Sequence, residues 1–250
     1  MALQEEFEQQ GVWLFRYRSY LPLIILPIGL WLYVSKATTP LLSYFDDGKR
    51  SSAYLLFCIL VSIFGLIIRI VTVGHTPSNT SGRNTKEQIA DTINQSGIYS
   101  IVRHPLYLGN FFMWLGIALI TLNFWFIMAF CLLYWVYYER IMFAEEQFLR
   151  RKFKEPYLQW AAKTPAFIPN WKHYQKASLK MSWKKVLKKE KNGFCAIFVL
   201  FALFDVTAYL YGTTPQLNIP LLIATAVSLL IYLILKVLKR KTNLLNESGR

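Results

Sequence analysis

In "SIVRHPLYLGNFF", residues 100–112, Arg103, His104 and Pro105 stand at the mouth of a long apolar run. Beyond a second apolar run, "YYERIMFAEEQFLRRKF", residues 137–153, supplies Glu139, Arg140, Glu145 and Glu146. An imidazole takes or gives a proton near neutral pH. A guanidinium grips an anion through paired hydrogen bonds. Neighbouring carboxylates such as Glu145 and Glu146 can hold a cationic amine or ribose hydroxyls. Residue chemistry alone leaves an anchoring role open, because Arg snorkels, Tyr and Trp favour the headgroup belt, and Glu pairs with Arg. Carboxylates beside apolar spans are costly unless partnered, which favours a site.

These residues must be positioned by membrane-length elements. The chain has 250 residues, and its apolar residues come in blocks at 20–34, 54–73, 105–122, 124–138, 194–211 and 219–235. Each block is near the length a helix needs to cross a hydrocarbon core of about 30 Å. A bilayer demands that backbone groups be satisfied within the segment, so helices are expected. The reading is an all-α, polytopic transmembrane protein with about six spans. Blocks 105–122 and 124–138 form a hairpin turning at Asn123, which returns both ends to one membrane face. His104 and Glu145 are therefore expected to meet, with Pro105 at the first helical turn, where its missing N–H costs nothing.

The net charge of +14 invites a nucleic-acid reading, but its distribution opposes that. Fourteen of the 28 basic residues lie between Arg140 and Lys191, and five more between Lys236 and Arg250. Such clusters mark cytoplasmic ends, which puts both termini and the candidate site in the cytoplasm, with "GTTPQLN" (212–218) as an outer turn. A basic inner surface would also attract anionic lipids. The N-terminal "MALQEEFEQQ" is acidic and polar, unlike the start of a secretory signal peptide. Cys58, Cys131 and Cys195 each sit in an apolar block without ligand spacing, so neither disulfide nor metal site is expected.

Three zones emerge: 1–73, an N-terminal hairpin; 74–171, which holds all the candidate site residues; and 172–250, a basic segment followed by an apolar hairpin. The loop 74–97 is rich in Gly, Ser, Thr and Asn and is long enough to serve as a lid or ligand-binding segment. Within it, "TKEQIADTI" (85–93) is compatible with two helical turns capped by Thr85. The stretch 172–193 reads either as a helix lying on an anionic leaflet or as a solvated linker.

"GIYSIVRHPLYLGNFF" followed by "AEEQFLRRKFKEPYLQWAAKTPAFIP" resembles the C-terminal core of the integral-membrane methyltransferases. That group includes the isoprenylcysteine carboxyl methyltransferases and the phospholipid N-methyltransferases. The shared pattern falls on Gly97, Tyr99, Arg103, His104, Pro105, Tyr107, Gly109, Glu145, Glu146, Phe153, Tyr157, Pro165 and Pro169, and covers about residues 70–171. The resemblance implies S-adenosylmethionine as cofactor. Tyr99, His104, Pro105 and Tyr107 would line its site, Glu145 would bind it, and Asp91, Thr92, Ile93 and Asn94 would approach from the preceding loop. Arg103, Arg140 and Glu146 are the candidate catalytic residues, the arginines to orient an anionic acceptor.

The implied acceptor is a membrane lipid or a lipidated or otherwise hydrophobic molecule. In the prenylcysteine enzymes, an arginine four residues before the cofactor-binding Glu engages the substrate carboxylate; here that position is Ile141, with Arg140 beside it. An NADPH-dependent enzyme resembling the sterol reductases is a rival reading, but its pattern expects an acid after Gly109, where Asn110 stands. A non-catalytic membrane lipid-binding protein is the other rival.

Overall fold

The computed structural model describes residues 2–40, 42–43, 48–78, 80 and 90–249. Among them every extended regular element is helical: α1 (Leu3–Tyr17), α2 (Leu21–Val34), α3 (Gly48–Gly74), α4 (Pro105–Leu119), α5 (Phe124–Phe153), α6 (Glu155–Lys163), α7 (Trp183–Leu210) and α8 (Ile219–Lys241). The strand-like feature is an isolated antiparallel bridge between Gly97 and Gln175. Each apolar block of the sequence falls on one helix, filling it or at least half of it, and block 105–122 runs on into the turn. By length and apolarity, α3, α5, α7 and α8 can each cross a membrane, and the bent pair α1–α2 makes a fifth candidate. The sixth block is the 15-residue α4, about 22 Å long at 1.5 Å per residue and so short of a full crossing. Large apolar side chains such as Leu60, Phe64, Leu132, Val136, Ile223 and Leu230 face outward on these helices, as lipid contact requires. The protein is a multi-pass integral membrane protein.

Lipid tails are as apolar as leucine, so helices in a bilayer associate through close backbone packing and interhelical hydrogen bonds. The α3–α4 contact shows both. A Cβ on Gly65 would collide with the Gly109 carbonyl and lie 2.6 Å from Met113 N. One on Gly116 would collide with Ser62 Oγ. Across the same seam Ser62 Oγ donates to Met113 O at 2.8 Å, and Tyr54 Oη to Leu119 O at 2.9 Å. Gly11 similarly lets α1 lie against α5, where an added Cβ would be 2.7 Å from Ala144 Cβ.

The hairpin turns where the sequence placed it. Asn123 Oδ1 accepts from Phe126 N at 2.9 Å and caps α5, just after Leu122 at a φ of 50°. The second helix then runs 30 residues to Phe153, carrying Glu145 and Glu146 without a break. At its end Lys154 adopts a φ of 51°, a left-handed conformation rare for a residue with a Cβ, and the chain turns into α6. The helix considered for 85–93 falls partly outside the described residues; the part described, 90–93, is not helical. The basic stretch 172–193 is neither separate surface helix nor plain linker: its second half, from Trp183, is the opening of α7, capped by Ser182 Oγ accepting from Lys185 N at 3.2 Å.

Filling the α3–α4 seam tests this packing. Gly65→Ala is expected to destabilise the protein by about 1–3 kcal/mol. Gly29→Ala, whose added Cβ would meet side-chain ring edges alone, Phe126 at 3.1 Å and Phe204 at 3.6 Å, should cost much less. Thermal unfolding in detergent compares the two.

Candidate active site

A cavity of about 700 Å³ opens between the α1–α2 bend, α3, α4, α5, α6, α7 and the loop preceding α4. Tyr99, Arg103, His104, Pro105, Tyr107, Glu145, Thr92, Ile93 and Asn94 all line it. Residues 41 positions apart in sequence thus come together. His104 Nδ1 lies 3.5 Å from Glu145 Oε2, and His104 Nε2 lies 3.0 Å from Glu146 Oε1.

Local structure explains the convergence. His104 is the residue before α4, and Pro105 opens the helix. With its backbone turned out of the helix, the His104 ring stacks on Tyr107 at 5.7 Å and points to the carboxylates of α5. Tyr134 Oη donates to Tyr107 O at 2.7 Å, tying the first turn of α4 to α5. Helix α6 and the segment after it strap the loop from outside: Arg103 N donates to Pro165 O at 2.9 Å, His104 N to Ala166 O at 3.1 Å, and Trp160 Nε1 of α6 to Tyr99 O at 3.1 Å.

Glu146 acts through its neighbours. Its Oε1 accepts from Arg103 Nε at 2.9 Å as well as facing His104. Arg103 Nη1 donates to the carbonyls of Ala161 and Thr164, each at 2.7 Å. Arg103 is therefore a brace between α5 and the end of α6, with one edge of its guanidinium committed to Glu146.

Three sequence candidates lie apart from the cavity lining: Glu146, which stands behind it on Arg103 and His104, Asp91 and Arg140. Asp91 is exposed beside the cavity. Arg140 is on another face of α5: its guanidinium lies 3.4 Å over the Phe7 ring of α1, with Glu139 Oε2 3.4 Å from Nη1. A helix turns about 100° per residue, so the neighbour of Ile141 points elsewhere.

The structure also adds residues. Arg18, Arg69, Asn110, Tyr157, Trp160 and Glu190 line the cavity. Arg69 forks onto Glu190, with Nε–Oε2 and Nη2–Oε1 both 2.8 Å, and its Nη1 donates to Asn110 Oδ1 at 2.7 Å. A lone arginine inside an apolar block is itself a signal of function or pairing, so Arg69 was findable from sequence; its partner, 121 residues away, was not. The Tyr157 hydroxyl is buried and has no hydrogen-bond partner among the described residues. Burial first, then the negative charge of Glu146, pushes its pKa far up. It remains a neutral donor, and such an orphan on a cavity wall is satisfied when a ligand supplies an acceptor.

Burial of His104 opposes its charged form, but hydrogen bonds to Glu145 and Glu146, and then their charges, outweigh it and raise the pKa above 6.5. The protonated ring is thus favoured in the folded state. Its stabilisation is complete below the unfolded value of about 6.5 and is lost as pH rises through the higher folded value. The melting-temperature advantage of wild type over His104→Gln should therefore be largest in mild acid and shrink toward alkaline pH.

Comparison with known proteins places the similarity over this hairpin. The phospholipid methyltransferase family pattern matches residues 53–156, from within α3 to the start of α6. The protein-S-isoprenylcysteine O-methyltransferase of Saccharomyces cerevisiae is 31% identical over 118 residues, 46% of this chain and 48% of the yeast protein. That of Schizosaccharomyces pombe is 39% identical over 74 residues, 29% of this chain and 31% of its own. The cobalt-zinc-cadmium resistance protein CzcN of Cupriavidus metallidurans is 29% identical over 150 residues, 59% of this chain and 66% of its own. The matches span a third to two thirds of these relatives' length. No solved structure matches the chain at a significant level. The hairpin that brings His104 to Glu145 thus lies within the stretch, 53–156, that matches the phospholipid methyltransferase family pattern, and the chain is similar there to integral-membrane methyltransferases.

Proposed function

We propose that this protein transfers a methyl group from S-adenosylmethionine to a hydrophobic acceptor drawn from the membrane. The observation that carries the reading is the cavity in which His104 and Tyr107, from one end of the hairpin, face Glu145 from the other. The donor set fits the cofactor's polar parts. Glu145 would take the cofactor's ammonium or ribose hydroxyls, and the orphan Tyr157 hydroxyl would donate to one of its oxygens. Residues 92–94 would close on it from the loop, and Tyr99 and Tyr107 would flank it.

When bound, S-adenosylmethionine supplies an electrophilic methyl group on a sulfonium. The protein's part is alignment and exclusion of water. Glu146 holds Arg103 and His104 at fixed positions, which keeps the wall preorganised. An acceptor already ionised needs no strong base. Arg18, at the α1–α2 bend, and Arg69 bring positive charge to the cavity, whereas Arg140 does not reach it. The three zones 1–73, 74–171 and 172–250 are read as contributors to one site. Basic residues at the ends of α5 and α8 support a cytoplasmic site and a cytoplasmic C-terminus.

Calorimetric titration of purified protein tests the reading. Wild type is expected to bind S-adenosylmethionine and not NADPH. Glu145→Gln and His104→Ala should weaken binding by at least about tenfold, the loss of a charge-assisted contact, while Arg140→Ala stays near wild type. Binding of NADPH alone, or undiminished affinity in both site variants, would contradict the proposal.

A further inference from the structure

We infer that α7 forms the acceptor side of the cavity, with Gly193, Ala196 and Leu200 setting a slot for the acceptor's hydrocarbon chain. The inference rests on the methyltransferase reading for what the chain is attached to. It concerns a helix that lies wholly beyond the family-matched stretch 53–156.

The cavity has two chemically distinct parts. Its upper part carries His104, Glu145 and Tyr99; its lower part is walled by Met113, Trp114 and Ile117 of α4 and by Gly193, Ala196 and Leu200 of α7. Asn110, Met113 and Ile117 recur along one face of α4, and Glu190, Gly193, Ala196 and Leu200 along one face of α7, as helical periodicity dictates. The distance from Glu190 to Leu200 is about 15 Å along the axis at 1.5 Å per residue. The lower walls carry no charge, so an apolar ligand suits this arm.

Register between the walls is fixed by the polar groups at the boundary. The Arg69–Glu190 fork and the Arg69–Asn110 bond tie α3, α4 and α7 at one level. One level up, buried Lys185 Nζ donates to Thr76 O at 2.6 Å, Thr76 Oγ1 at 2.9 Å and Pro77 O at 3.0 Å. Two such clamps hold α7 against α3 with a set rotation. Small residues then face α4: a Cβ on Gly193 would stand 3.1 Å from Met113 Cε, and Ala196 is exposed on the cavity side. The geometry describes an amphiphile whose reacting head lies near the cofactor site and whose single extended chain runs down between α4 and α7.

The test uses full-length protein in dioleoylphosphatidylcholine nanodiscs, a stearic acid carrying a mid-chain diazirine as probe, and mass-spectrometric mapping of the photolabel. Label is expected on Met113, Ile117 and Leu200. It should be lost in Ala196→Trp and kept in Leu203→Trp, which alters an outward-facing position of the same helix. Should Ala196→Trp not fold, Ala196→Leu takes its place, with the same loss expected. Unchanged labelling in the Ala196 variant, or label confined to Leu203 and the outer face of α8, overturns the inference. Titration of the same nanodiscs with S-adenosylmethionine separates the two ideas. Slot labelling without cofactor affinity rejects the methyltransferase reading alone, and cofactor affinity with no slot labelling rejects the slot alone.

Discussion

One carboxylate oxygen organises the site. Glu146 Oε1 is shared by Arg103 Nε and His104 Nε2, and through them the end of α5 is joined to the start of α4 and to the close of α6. A charge so placed is costly to desolvate unless its partners are fixed. Here they are: Arg103 is held by two carbonyls and His104 by the helix start and the Tyr107 ring. Glu145, one residue earlier, is thereby left to face the cavity. The paired acids divide the work, one bracing the wall and one lining the cavity.

That arrangement depends on α3 and α4 packing at glycine distance. Gly109 has a spatial reason to be glycine: an added Cβ would meet Arg69 Cγ at 2.6 Å and the Gly65 carbonyl at 2.8 Å. The crossing lets the Arg69 stem pass over α4 and reach Glu190 on α7. Close packing in the family-matched core and attachment of the C-terminal hairpin are thus one feature. It also explains how an arginine is tolerated within an apolar helix, since its charge is met by a forked carboxylate and an amide.

Much of this was legible in the sequence because it follows from chain geometry. A short hairpin turning at Asn123 must return His104 and Glu145 to the same face, and Pro105 after a polar residue marks where α4 begins. Spacing did not resolve rotation about the α5 axis, so Arg140 could not be separated from its neighbours; the structure turns it onto Phe7. Nor did it show that α4 is too short to cross alone, because the block 105–122 includes the turn. The contribution of α7 was hidden for a different reason. Its residues facing the cavity are small, aliphatic or paired to distant partners, and neither Gly193 nor Glu190 forms a local motif.

The central claim is that the two ends of the α4–α5 hairpin together hold the methyl donor. Ultraviolet photolabelling with S-adenosyl-[methyl-³H]methionine, followed by peptide mapping, measures this directly. Label is expected on peptides containing residues 99–107 and 145–160, with both lost together in Glu145→Gln. Label confined to α8 or to the 212–218 turn, or unaffected by that substitution, would contradict it.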